Sequence, residues 1–268
     1  MTRRIALRIS YDGTAYAGWQ TQSNAVAVQQ VIEKALGKLS GGPVGIIGAS
    51  RTDAGVHAQG QVAHFDTETR IPEEKFSYAL NTMLPEDIRI VESWGAAPDF
   101  HARFGTAGKV YAYTFYNAPH ASAMLSRFSA HCPVELDVER MNRAAQDIVG
   151  VHDFSAFMAS GGTSKTFERE MKAAQVCRAG NQVCFMVWGT GFLYNMVRIT
   201  AGTLALIGQG KLPEDALARA IASHERLDLG YTAPAKGLTL MRVLYPGQDE
   251  LAREILRQKL LFNRKSQE

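Results

Sequence analysis

Residues 4–11 set Ile5, Leu7 and Ile9 against Arg8 and Ser10, a period of two that predicts a strand. Asp12-Gly13 then marks a turn. Over 26–39, Val28, Val31, Ile32, Ala35, Leu36 and Leu39 fall on one helical face, and Gly41-Gly42-Pro43 ends the run. Strands are predicted near 44–49 and over 60–66. Pro72, followed by Glu73 and Glu74, opens a helix to about Met83, with its acids at the positive end of the helix dipole. A strand follows over 87–97. The order is β-α-β-β-α-β, and it recurs. An aromatic strand at 109–117 precedes a helix at 137–149. Strands at 168–179 and 182–190 are joined at Gly180-Asn181. An apolar helix at 192–208, a shorter one after Pro213 and a last strand at 238–245 complete the pattern.

A split β-α-β unit used twice predicts an α+β protein of two ferredoxin-like domains with antiparallel sheets. No sequence-level repeat accompanies the likeness of pattern. A length of 268 residues suits two domains. Pro98, Gly105 and Gly108 gather where the boundary is expected. The expected division is 1–104 and 105–246, with 247–268 a charged amphipathic helical tail with a frayed end.

Composition narrows the class. With 46% hydrophobic and 21% charged residues the chain can bury a core, which excludes disorder over most of its length. The net charge of +3 is too mild to name a partner, but its distribution is informative. No acid occurs between Asp99 and Glu135 or between Glu170 and Glu214, although both stretches keep several cations. Asp53 is the only acid between Glu33 and Asp66. Buried strands lacking charge of either sign would not retain those cations, so the pattern points to a surface that faces a polyanion. Cys132, Cys177 and Cys184 form no metal spacing and cannot all pair, as expected of buried thiols in a reducing compartment. The basic N-terminus reaches Arg8 and Asp12 before an apolar segment forms, so no signal peptide is expected. The uncharged stretch from Gly13 to Ile32 is too polar to span a bilayer. The expectation is a cytoplasmic protein.

Residues 49–58, Ala-Ser-Arg-Thr-Asp-Ala-Gly-Val-His-Ala, pack polar groups and a glycine into a loop between two strands. Loops that carry polar chemistry on a rigid sheet are common homes of active sites. Asp53 has cations beside it, and nearby opposite charge favours a carboxylate's charged form. On spacing alone, Asp53 reads first as a turn cap with Arg51 as its ion pair. A hydrolase reading would use Asp53, His57 and Ser50, but no G-x-S-x-G elbow occurs. Gly45-Ile46-Ile47-Gly48 matches a GXXG nucleic-acid clamp, and equally a Gly-edged strand.

Five segments in order carry a family resemblance. SRTDAGVHAQGQVAHF at 50–65 resembles the R-T-D-x-G-V-H-A signature of the TruA family of tRNA pseudouridine synthases. YDGTAYAGWQTQ (11–22), FHARFGTAGKVYAYTFYN (100–117), VHDFSAF (151–157) and GFLYNMVRITAGTL (191–204) resemble that family's further motifs. Together they span about 5 to 245. Ser50 stands where glycine is usual, adding bulk to a tight loop, and Gly105 where serine is common. The resemblance implies isomerisation of uridine at positions 38, 39 and 40 of the tRNA anticodon stem-loop, without cofactor or metal. It implies Asp53 as the catalytic carboxylate, Arg198 as its ion partner and Tyr111 under the target uracil, in a basic cleft between the domains. Arg198 also stands out in an otherwise apolar helix, where a lone cation is expensive unless paired. Arg51, Arg103, Lys109, Arg127 and Lys172 are the candidate phosphate contacts. The family is homodimeric. The rival reading is an RNA-binding module without catalysis.

Overall fold

A computed structural model describes residues 2–261, with side chains described to residue 257. The fold mixes α and β: ten strands and six α-helices among the described residues, divided into two compact units. The first unit comprises Met1–Ala107 and Thr239–Pro246; the second comprises Gly108–Leu238 and Gly247–Glu268. The expected domains met at 104/105, and the strand expected to close the second domain is grouped, from Thr239 on, with the first unit.

In the first unit, β1 (Arg3–Tyr11) lies between β4 (Ile88–Ala96) and β3 (His57–Thr67), antiparallel to both. On its other edge β3 pairs antiparallel with β2 (Ile47–Gly48) and parallel with β10 (Leu238–Leu244). The period-two pattern of β1 is realised as two faces. Ile5, Leu7 and Ile9 are fully buried. On the other face Arg4 pairs with Asp66 and Arg8 with Glu92. Two helices, α1 (Val28–Ser40) and α2 (Phe76–Asn81), bury Ile32, Leu36, Phe76 and Leu80, and Phe76 meets Phe65 of β3 edge-on at 5.4 Å.

Two predicted elements of the first unit are shorter than expected. The 44–49 strand shrinks to Ile47–Gly48 because α1 takes the backbone of residue 46. Gln29 Nε2 donates to the Ile46 carbonyl (3.1 Å), and the Ile46 N–H donates to Glu33 Oε1 (3.1 Å). The 72–83 helix is a 3-10 turn (Glu73–Lys75) followed by α2.

In the second unit, β5 (Gly108–Asn117), β9 (Gln182–Gly189), β8 (Glu168–Ala179) and β7 (Gly150–Asp153) pair antiparallel in that order. The short β6 (Ala130–Cys132) adds parallel to β5. Neither β6 nor β7 was predicted; strands this short carry too few residues to show a period. Helix α3 (Val138–Ala145) is capped by Asp137, whose side chain accepts the Arg140 N–H (2.9 Å). Helix α4 (Met196–Gly208) lays Met196, Val197 and Thr200 against Met171, Phe185 and Val187 of the sheet. It begins later than expected because Asn195 adopts a left-handed conformation (φ 61°). Helix α5 (Ala216–Ser223) follows. The tail forms α6 (Asp249–Leu261) on the sheet face away from α4. Gln175 of β8 donates to the Leu256 carbonyl (2.7 Å), and Ala252 and Leu256 are buried. The expected fraying lies largely outside the described residues. All three cysteines are buried. Among the described residues no helix is long and apolar enough to cross a membrane.

Candidate active site

Asp53 sits half-buried in the loop from β2 to β3, and that loop is fastened along its length. At its start the Ala49 N–H donates to the Val62 carbonyl (2.8 Å). Gln61 then grips residue 50 twice: its Oε1 accepts the Ser50 N–H (3.1 Å) and its Nε2 donates to the Ser50 carbonyl (2.6 Å). The Val56 N–H closes a turn onto the Asp53 carbonyl (3.1 Å), with Gly55 at φ 77°. Ser50 itself is buried, so the extra bulk of this residue is accommodated inside the loop's root.

The segment following β1 straps this loop from outside. The Trp19 N–H donates to the Thr52 carbonyl (3.1 Å), and the Gly55 N–H donates to the Tyr16 carbonyl (3.3 Å). The Tyr11 hydroxyl and Thr52 Oγ1 are 2.8 Å apart. The approach is so close that two positions tolerate no side chain. A Cβ on Gly13 would lie 2.0 Å from the Val56 carbonyl oxygen, and one on Gly18 would lie 2.4 Å from that of Thr52. His57, which the hydrolase reading needed as a base, is buried and engaged by the strap. Its Nδ1 accepts the Gly13 N–H (3.0 Å) and lies 3.1 Å from Asp12 Oδ1. The GXXG match is a Gly-edged strand, with Gly48 pressed against the Trp19 ring.

In the second unit, Tyr111 and Arg198 are brought to one side of β5. Tyr111 is 6% exposed, and its ring makes a T-shaped contact with that of Phe192 at 5.0 Å and 81°. Tyr113, two residues along on the same face, donates its hydroxyl to the Pro234 carbonyl (2.8 Å). Burial pushes the Tyr113 hydroxyl well above the usual phenol range, and the nearby Arg198 charge partly opposes this. The guanidinium of Arg198 is held at two points: Nε donates to the Ala233 carbonyl (2.8 Å) and Nη1 to Asn195 Oδ1 (2.7 Å). A planar fork fixed at two nitrogens has a defined direction, which an ammonium would lack.

The candidate phosphate contacts differ in character. Arg51, Arg103 and Arg127 are exposed and Lys109 is half-buried. Lys172 is already engaged inside the second unit, 3.5 Å from Asp249 Oδ2 and 5.0 Å from the centre of the Trp188 ring. Sequence reasoning missed Gln61, Gly18 and Asn195 as supports. Gln61 left a usable signal: a polar residue at a fully buried position of a strand must have a specific partner.

Comparison with known proteins places the chain in a family. A family described as tRNA pseudouridine synthase matches residues 8–105 and 144–246. The tRNA pseudouridine synthase A of Ruminiclostridium cellulolyticum is 51% identical over 244 residues, covering 91% of this chain and 100% of that protein. The protein of the same name from Acetivibrio thermocellus is 50% identical over 243 residues, with the same coverage. That of Syntrophotalea carbinolica is 44% identical over 245 residues, covering 91% of this chain and 97% of its own. With five motifs in order, a matched profile over most of the chain and relatives aligned over nearly their whole length, this chain belongs to the tRNA pseudouridine synthase family.

Proposed function

We propose that this protein isomerises uridine to pseudouridine at positions 38, 39 and 40 in the anticodon stem-loop of tRNA, with Asp53 as the catalytic carboxylate. The observation that carries the reading is the Asp53 loop. It is a short polar turn with its backbone fastened by Gln61 and by the strap from residues 11–19, and it presents the single acid between Glu33 and Asp66. Pre-organisation of this kind suits a group that must meet a reacting atom in one geometry.

The reaction balances without an external reagent. The bond from uracil N1 to ribose C1′ breaks, the base turns, C5 bonds to C1′, and the proton lost from C5 is matched by one gained at N1. Attack on C1′, attack on C6, or removal of a ribose proton to give a glycal each calls for an ionised carboxylate. Arg198 holds charge opposite that carboxylate. Tyr111 supports the detached uracil by its ring, and its hydroxyl aids removal of the C5 proton. The target uridine is everted at a cost of about a few kcal/mol. Activity at three neighbouring positions calls for recognition of tRNA shape, with phosphate contacts setting register. Arg51, Arg103, Lys109 and Arg127 supply those contacts, and Lys172, already paired with Asp249, contributes least. The three catalytic groups serve one uridine in a basic cleft, in a cytoplasmic homodimer. Each unit is read as ferredoxin-like; the order β4-β1-β3-β2 in the first supports this.

The test is to map pseudouridine after incubating unmodified tRNA with the protein and with Asp53→Asn. The wild type is expected to form pseudouridine in the anticodon arm with no change in tRNA mass. The variant should lose at least about a thousandfold in rate while still binding tRNA. Binding without any pseudouridine from the wild type would make the protein an RNA-binding module. A fully active variant would remove Asp53 from the mechanism.

A further inference from the structure

The turn at 98–106, in the first unit, is built as a support. Arg4 Nη1 donates to the carbonyls of Pro98 and Phe100 (both 2.8 Å). The Ala102 N–H donates to Nδ1 of the buried His64 (3.2 Å), and the Tyr245 hydroxyl donates to the Ala102 carbonyl (2.9 Å). His101 Nδ1 accepts the N–H groups of Arg103 (3.2 Å) and Phe104 (3.1 Å), and the His101 carbonyl accepts that of Gly105 (2.9 Å). What this framework holds at its tip is a phenyl ring in water: Phe104 is 79% exposed. The His101 ring lies 4.4 Å from it at 31°, and the Arg103 guanidinium lies 5.7 Å from its centre. Leaving a large apolar ring in water forgoes the stabilisation that burial would give. A fastened backbone beneath an exposed ring means that little ordering entropy remains to be lost on binding.

The chemistry around the ring selects the occupant. A flat aromatic face beside a guanidinium is the arrangement that takes a nucleobase by stacking and its phosphate by charge. Carboxylates are sparse here: the turn carries one, the exposed Asp99 beside Arg4, the sequence from 100 to 134 has none, and Asp66 is held by Arg4 through Nε and Nη2 (2.8 and 2.9 Å). The turn rests on His64, roughly 20 Å along β3 from His57 at about 3.3 Å per residue. Contact at such a separation grips RNA outside the reacting nucleotide.

We infer that Phe104, flanked by Arg103 and His101, is a stacking platform for an unpaired base of the tRNA substrate. The inference rests on the tRNA reading above and adds a positioning element to it. The experiment compares wild type, Phe104→Leu, Phe104→Trp and Arg103→Ala in tRNA binding and pseudouridine formation, with the mass of each protein in solution measured alongside. Leucine keeps the apolar bulk and removes the flat face. Phe104→Leu is expected to weaken tRNA binding by about 5- to 150-fold, the equivalent of one lost base stack. The loss should appear in the half-saturating tRNA concentration more than in the rate at saturation. Phe104→Trp is expected to bind at least as well as wild type. Arg103→Ala should reduce the salt slope by about 1, whereas Phe104→Leu leaves the slope unchanged. An active wild type with a Phe104→Leu variant of equal affinity overturns the platform alone. A change of oligomeric mass in Phe104→Leu overturns it in favour of a second copy of the chain. A wild type that neither binds nor modifies tRNA overturns this inference together with the function it rests on.

Discussion

His64 must accept a hydrogen bond at Nδ1 from Ala102, and its surroundings keep it neutral. Burial first, then the Arg4 charge and His101, depress its pKa from about 6.5 to about 4. The unfolded chain therefore takes up this proton at higher pH than the folded one. Stability from this group is complete above about pH 6.5, falls as pH drops towards about 4, and levels off below that. Urea unfolding at pH 7.5 and pH 4.5 is expected to show a loss of up to about 3 kcal/mol in the wild type that His64→Gln, which keeps an acceptor, lacks. Equal losses in both proteins would assign the acid sensitivity to other groups. A second prediction at this scale concerns Arg198. The Ala233 carbonyl and Asn195 Oδ1 are met by two different nitrogens of a planar fork that a lysine ammonium lacks, so Arg198→Lys should misplace its charge and slow catalysis by about a hundredfold. Single-turnover rates on unmodified tRNA measure this. The isolated cation at 198 was visible in the sequence because it interrupts an apolar helix. The acceptors that aim it were not, since a carbonyl at 233 has no sequence signature.

Among the elements, the strap over the Asp53 loop is the most sensitive to small changes. Gly18 has φ 89°, and a Cβ there would meet the Thr52 carbonyl oxygen at 2.4 Å. Gly18→Ala is therefore expected to cost more than about 2 kcal/mol in chemical denaturation and to reduce pseudouridine formation in parallel, because the clash falls on the loop itself. Gly41 is the control. It also has positive φ (73°), but nothing lies within 4 Å of its added Cβ. Gly41→Ala should cost about 1 kcal/mol and leave turnover unchanged. Periodicity located the long strands and helices within a few residues, because burial on one face repeats every two or 3.6 positions. It overextended β2, whose backbone is taken by Gln29 and Glu33 of α1, and it missed β6 and β7, which are shorter than a readable period.

At the scale of the molecule, a net charge of +3 conceals a segregation of cations and acids along the chain. If Arg51, Arg103, Lys109 and Arg127 each neutralise a phosphate, tRNA affinity should fall roughly a hundredfold between about 50 and about 200 mM salt. Fluorescence titration at the two concentrations checks this, and a flat response would remove the phosphate contacts. By itself, the sequence determined the order of the principal elements, the mixed α/β class and the residues with chemistry to offer. Those depend on spacing over a few residues and on side-chain identity, which are local properties. Only the tertiary structure decided that residues 239–246 return to β3 of the first unit, that residues 11–19 clamp the Asp53 loop, and that Lys172 is engaged by a helix at the end of the chain. Contacts between segments far apart in the chain arise from packing and leave no repeat for a sequence to show.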